Sequence, residues 1–300
     1  MSRTNQANFF RPNIINRLAA AAIFMIVAAC VYRSDRNSER SSSEPTQNNS
    51  TLSIQKNAAK NTGDKKPDNG DFLVEHLPVQ NSRYAEIDRQ VKNEKLLERA
   101  ADKLNRSLIL PYDITLRTKD CGEANAEYQP SDHSITVCYE LMEHFYKLFK
   151  STGLSDDAAY QKMFDAVRFA FLHELGHALI DAYKLPILSN EEDAADRCSS
   201  YICLTELGDE GVRAVQAAAD SFAIESKTSD KNGRSLADEH LLQEQRFYNT
   251  LCMIYGSDTA KYDYLVTENY LPRERAARCP NEYERTVQSW SDLFKPWRKE

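Results

Sequence analysis

In residues 84–108 (YAEIDRQVKNEKLLERAADKLNRSL), Ile87, Val91, Leu96, Leu97 and Leu104 stand among charges at the spacing of an amphipathic helix, which Pro111 stops. Two short alternating segments follow, residues 114–117 and 134–137. They flank the turn-rich CGEANAEYQPSDH and read as strands of a small sheet. Helical spacing returns over residues 139–150. The longest helix is expected to begin after the cap signal Ser155-Asp156-Asp157 and to end before Leu185-Pro186. Further helices are predicted over residues 190–207, 209–224, 238–255 and 282–294, with a polar loop at 225–235. There is no internal repeat, and the balance is a mostly helical α+β arrangement.

The longest predicted helix contains FLHELGHALI, residues 171–180: two histidines four residues apart with a glutamate between them, in apolar surroundings. On a helix His173 and His177 share a face, so both imidazoles reach one cation, and Glu174 stands at the edge of that face. The plain alternative is a polar edge on an amphipathic helix. Unpaired histidines are costly where solvation is poor, and the nearly all-apolar flanks of FAFLHELGHALIDA favour a bound ion. A catalytic zinc takes three protein ligands and keeps a fourth position for water. With one Zn2+ at this site, Glu174 is the expected general base and acid.

The third ligand must come from elsewhere in the chain. No third histidine follows six residues after His177, where Tyr183 stands, and the strongest candidate is the acidic cluster NEEDAAD, residues 190–196. Glu192 and Asp196 lie four apart, so one can bind metal while the other receives a hydrogen bond from the far side of a ligand imidazole. Glu191 and Asp193 read instead as solvated residues at a helix N-terminus, where the helix dipole favours negative charge.

HELGH followed about fifteen residues later by E-x-x-x-D resembles the gluzincin metallopeptidases. That resemblance implies a zincin-like fold with a small sheet packed beside the HExxH helix. It also implies His173, His177 and Glu192 as zinc ligands and Asp196 as the residue orienting a histidine. More closely, CGEANAEYQP, SITVCYEL, LPILSNEEDAAD, DEHLLQEQRFYNTLCMIYGSD and LPRERAARCPNEY resemble a bacterial family of exported proteins classed as metallopeptidases on their motif, with no assigned substrate. The likeness extends over residues 105–283, with one departure at Glu127 in NAEY, where an aromatic residue is expected. It further implies that a strand edge near the helix receives the substrate chain, with residues 134–138 as the local candidate. For the oxyanion stabiliser His240 is one candidate, beside Tyr139, Tyr248 and Tyr255; the competing reading of His240 is a helix-start residue meeting backbone or carboxylates. His76, His133 and His144 have no companion motif and are read as surface or core residues. Trp290 and Trp297 are read as packing residues.

The first 30 residues carry Arg3, Arg11 and Arg17 and no acid, then the apolar run LAAAAIFMIVAAC, too short to span a bilayer comfortably. That is the pattern of an export signal. Val27-Ala28-Ala29-Cys30 resembles a bacterial lipobox, in which the cysteine is acylated; an ordinary cleaved signal or an uncleaved anchor are the alternatives. The expected organisation is a lipoprotein signal peptide at 1–30, a disordered Ser/Asn-rich tether at 31–75, and a metallopeptidase-like domain at 76–300. Acylation fixes a protein to a membrane without a spanning helix, since each buried methylene contributes about 0.8 kcal/mol. The expected location is therefore the bacterial cell envelope, facing the periplasm or exterior.

The whole chain has a formal charge of −7, and loss of the basic leader makes the rest more acidic. Nucleic acid is excluded as a partner, because its recognition needs clustered Lys and Arg. With Cys30 set aside, six cysteines remain in an exported chain; local pairing of Cys121 with Cys138 and of Cys252 with Cys279 is preferred, and Cys198 and Cys203 are left open between a bond and two buried thiols. The expected function is zinc-dependent hydrolysis of a peptide or protein substrate. The rival is a zinc-containing envelope binding or scaffold lipoprotein without turnover, and a third reading is hydrolysis of a non-peptide bond.

Overall fold

Four strands form one sheet in the computed structural model, which describes residues 66–188, 190–228 and 240–299. They are β1 (Phe72–His76), β2 (Ile114–Lys119), β3 (Ala126–Gln129) and β4 (Ser134–Cys138), in the spatial order β1-β2-β4-β3. The first three in that order run parallel, and β3 pairs antiparallel with β4, leaving its far side as a sheet edge. The two strands read from alternation are β2 and β4. β1 and β3 were not anticipated, and both have a physical reason. β3 is four residues among turn formers, and β1 falls where the tether was expected to end, so the folded part begins before residue 76.

The expected helix over 84–108 is two helices, α1 (Ala85–Asn93) and α2 (Leu96–Ser107), because Lys95 adopts a left-handed conformation at φ 53°. The others are α3 (Tyr139–Lys150), α4 (Asp156–Tyr183), α5 (Glu191–Glu206), α6 (Gly208–Thr228), α7 (Gln243–Ser257), the short α8 (Tyr264–Thr267) and α9 (Arg273–Ala276), and α10 (Cys279–Phe294). α6 extends into the segment read as a polar loop. The export signal, Cys30 and the tether up to residue 65 lie outside the described residues. Among the described residues no helix is long and apolar enough to cross a membrane.

The longest helix, α4, is the central element. Ser155 caps it by accepting from the Ala158 N–H, and its buried residues lie on every side, as expected of a helix surrounded by protein. It packs against α3, α5 and α6 and against β3 and β4, so the sheet lies beside the HELGH turn. Inside this packing the Arg168 guanidinium, 1% exposed, meets Asp165 at 3.1 Å and Glu210 of α6 at 3.7 Å, which compensates its burial. Disulfides join Cys121 to Cys138 and Cys252 to Cys279, and Cys198 and Cys203 are buried thiols.

α4 and α5 cross closely and antiparallel. A left-handed Lys184 ends α4, Pro186 follows, and Asn190 caps α5 by accepting from the Asp193 N–H at 3.2 Å. At the crossing a Cβ on Gly176 would stand 3.2 Å from Ala195 Cα and 3.3 Å from Cys198 Cβ. Gly176→Leu is therefore expected to force the helices apart and destabilise the fold by about 1–3 kcal/mol, measured by urea denaturation, and to weaken divalent-metal binding in the same preparation. Unchanged stability and metal content would show that the crossing tolerates the bulk.

Candidate active site

The antiparallel crossing pairs two residues one turn apart on α4 with two residues one turn apart on α5. Glu192, in the first turn of α5, lies beside both histidines: its Oε2 is 3.0 Å from His173 Nε2 and its Oε1 is 3.2 Å from His177 Nε2. One turn further, Asp196 Oδ1 accepts from His173 Nδ1 at 2.8 Å. A ligand atom from each of His173, His177 and Glu192 lies within 4.8 Å of the others, and the two Nε2 atoms are 3.1 Å apart. Two nitrogens at about 2.1 Å from one tetrahedral ion would be roughly 3.4 Å apart. The donor set thus fits a small divalent cation with a place left for solvent.

Each imidazole is held from behind. His173 has Asp196, as read from the sequence. His177 Nδ1 donates to Glu191 Oε1 at 2.8 Å, so Glu191, exposed in the first turn of α5 as expected, also backs this imidazole; Asp193 pairs with Arg197 at 2.8 Å. Such partners set the ring orientation and tautomer of a ligand histidine. Asp196 is itself buried and takes both ends of a fork from Arg246 on α7, Nε to Oδ2 and Nη2 to Oδ1, each at 2.8 Å. Arg246 also lies over the Phe222 ring at 4.2 Å. No local sequence signal marked it; it is found only by asking what compensates a buried Asp196.

Burial disfavours the charged form of His173, but its bonds to Asp196 and Glu192 outweigh that and push its pKa up to about 9. The same contest raises His177 through Glu192 and Glu191. For Glu192 burial acts upward, yet bonds from His173, His177 and His240 hold the carboxyl far below the usual range, and for Asp196 the Arg246 charge and the His173 bond do the same. Glu174 goes the other way. Burial raises its pKa, and the neighbouring histidines and a backbone N–H only partly offset this. The trio is therefore built to stay anionic at Glu192 while Glu174 is drawn toward taking up a proton.

That backbone N–H belongs to Tyr128 of β3, which donates to Glu174 Oε2 at 2.7 Å. It corrects the expected substrate edge: β4 is enclosed between β2 and β3, so residues 134–138 have no free side, and β3 is the strand that faces the site. The Tyr128 hydroxyl donates to Asp181 of α4 at 2.8 Å, joined by Tyr112 at 3.3 Å, which secures the strand two turns beyond Glu174. Glu174, His177, Asp181, Ala126, Tyr128 and His240 line a cleft of about 780 Å³. A second lobe of about 320 Å³, walled by Phe145, Phe169, Phe222 and Ala218, opens from the same Ala126, Glu174 and His240. His240 has its Nε2 3.1 Å from Glu192 Oε2. Of the other candidates for oxyanion donor, Tyr139 is buried against Asp88 and Thr118, and neither Tyr248 nor Tyr255 lines the cleft. His76 pairs with Glu98, His133 stacks on Tyr112, and His144 pairs with Glu225.

Residues 76–294 match the model of a family described as "Putative metallopeptidase", and the chain belongs to that family. No curated protein and no solved structure matches the chain. Replacing Arg246 by alanine is expected to leave Asp196 as an uncompensated buried carboxylate, with a loss of about 3–5 kcal/mol in stability and about 10–100-fold in metal affinity. Denaturant titration and competition with a chromophoric chelator measure the two; a variant as stable as wild type would remove Arg246 from the site's support.

Proposed function

We propose that this member of the metallopeptidase family is a zinc-dependent peptidase, and that residues 1–30 export it and anchor it to a membrane through an acylated Cys30, in the bacterial cell envelope. The observation that carries the enzymatic reading is the convergence of His173, His177 and Glu192 beside Glu174, in a cleft bordered by a strand with an open edge. Two imidazoles and one carboxylate suit zinc among the common divalent ions, and the pattern is that of the gluzincins. Zinc held there supplies Lewis-acid polarisation of a carbonyl and an acidified water.

The chain's own residues supply the rest. The Asn125 carbonyl accepts from Cys138 N–H at 3.0 Å, so Asn125 and, two residues on, Glu127 turn their backbone groups toward β4. Ala126 and Tyr128 turn theirs outward. The Tyr128 N–H is held by Glu174, so an extended peptide pairs by strand addition with the outward groups that remain, the Ala126 N–H and carbonyl and the Tyr128 carbonyl, a mode that recognises backbone more than sequence. The peptide's scissile carbonyl then lies next to Glu174. Glu174 takes a proton from the attacking water and returns it to the departing amine, a role helped by a pKa that burial holds above the ordinary carboxylate value. His240 lines the cleft with its Nε2 at Glu192, and in this reading it turns to donate to the oxygen that becomes negative in the tetrahedral intermediate.

Glu174→Gln is expected to keep the zinc and the fold but to lower peptide cleavage by at least about 10²-fold, while His177→Ala loses the metal. Metal analysis of the purified proteins and cleavage of a broad peptide library, read by mass spectrometry, check both. A zinc-replete wild type that cleaves nothing would favour the non-catalytic binding or scaffold reading.

A further inference from the structure

The outer face of the sheet carries a row of side chains that crosses all four strands. In register, Glu75 of β1 stands opposite Arg117 of β2, Arg117 opposite Thr136 of β4, and Thr136 opposite Glu127 of β3. Directly opposed residues share a face, and the contacts follow the row. Arg117 meets Glu75 at 3.2 Å and donates from Nε to Thr136 Oγ1 at 3.0 Å. Its remaining guanidinium nitrogen pairs with Asp132 at 3.1 Å. The row thus reads anion, cation, hydroxyl, anion, and it ends at the sheet edge on Glu127. Glu127 is half-buried, lines the large lobe of the cleft, and among the described residues has no cation within ion-pair distance.

The geometry of strand addition says what comes next. Because Glu127 turns its own backbone toward β4, a strand added antiparallel beside β3 meets it at a non-hydrogen-bonded position, where opposed side chains come closest, with Cα atoms about 4.5 Å apart. We infer that Glu127 selects the substrate: the residue that lies opposite it is a lysine or arginine, which continues the alternation of charge across the sheet. The inference rests on the peptide-binding reading of the β3 edge and names the class of peptide, a cationic one. The lobe itself is mixed, with Lys184 paired to Asp181 and His177 to Glu191, but the chain as a whole is acidic, so a basic peptide is drawn to the protein before it docks.

The test uses the full chain as the zinc-loaded Glu174→Gln variant, with three fluorescein-labelled peptides of alternating sequence. They are identical except for Lys, Gln or Glu at every second position, which lets the register settle on either face. Fluorescence anisotropy is expected to show the Lys peptide binding about fivefold tighter than the Gln peptide, the scale of one favourable cross-strand charge pair, and the Glu peptide weaker than both. Adding Glu127→Gln should abolish the Lys advantage and Glu127→Lys should reverse it. Adding Glu123→Gln, which removes one exposed charge from the loop before β3, should change nothing. Equal binding of the three peptides, or a Lys advantage that survives Glu127→Gln, would overturn the selection while leaving strand addition standing. Binding of none would overturn strand addition as well. Charge-selective binding by a protein whose wild type cleaves none of the peptides would retain the inference and remove the peptidase reading.

Discussion

Everything at the site depends on how closely two antiparallel helices approach. With glycine at 176 and alanine at 195, α4 and α5 come near enough for His173 and His177 to meet Glu192 and Asp196 side on. Both pairs have a spacing of four, one helical turn, so the crossing is a match of two ladders. The short connection between the helices, ended on one side by left-handed Lys184 and on the other by the Asn190 cap, keeps the ladders in step.

The same approach creates an electrostatic problem that the fold resolves in layers. Glu174, Glu192 and Asp196 are drawn into a region that water reaches poorly, where isolated charges would cost several kcal/mol each. Glu192 is neutralised by the imidazoles, and Asp196 by Arg246 reaching in from α7. Glu174 has only a backbone N–H and nearby histidines, and of the three it is the one in which the upward pull of burial prevails. Three acids within two helices acquire different protonation behaviour because each is given a different partner. That difference suits one carboxylate to hold a cation and another to carry a proton.

The β3 strand gives the site its second half. It is short, lies at the sheet edge, and is held at both ends: by the Cys121–Cys138 disulfide and the bond from Cys138 to Asn125 before it, and by the Tyr128 hydroxyl on Asp181 within it. Exposed strand edges invite pairing with other chains, and natural proteins usually blunt them. Here the edge borders the cleft that holds Glu174, and its two outward residues flank Glu127, which has no ion-pair partner among the described residues.

Local rules carried much of this into view. The helix periodicity, the Ser155 cap, the HELGH face and the spacing of Glu192 and Asp196 are short-range properties that a helix imposes on its own sequence, and the two local disulfides follow from chain proximity. Glu191, Arg246 and Tyr128 were not legible, since each owes its role to a partner 14 to 50 residues away that no local pattern names. β1 and β3 escaped for a related reason. A four-residue strand or one at a domain boundary has too few alternations to announce itself, and only pairing with β2 and β4 makes it a strand. The sequence by itself determined which residue types stand one helical turn apart on each helix. Tertiary packing alone decided which of those rows face each other and which strand edge stays open, because contacts between distant segments depend on the three-dimensional fit of whole surfaces.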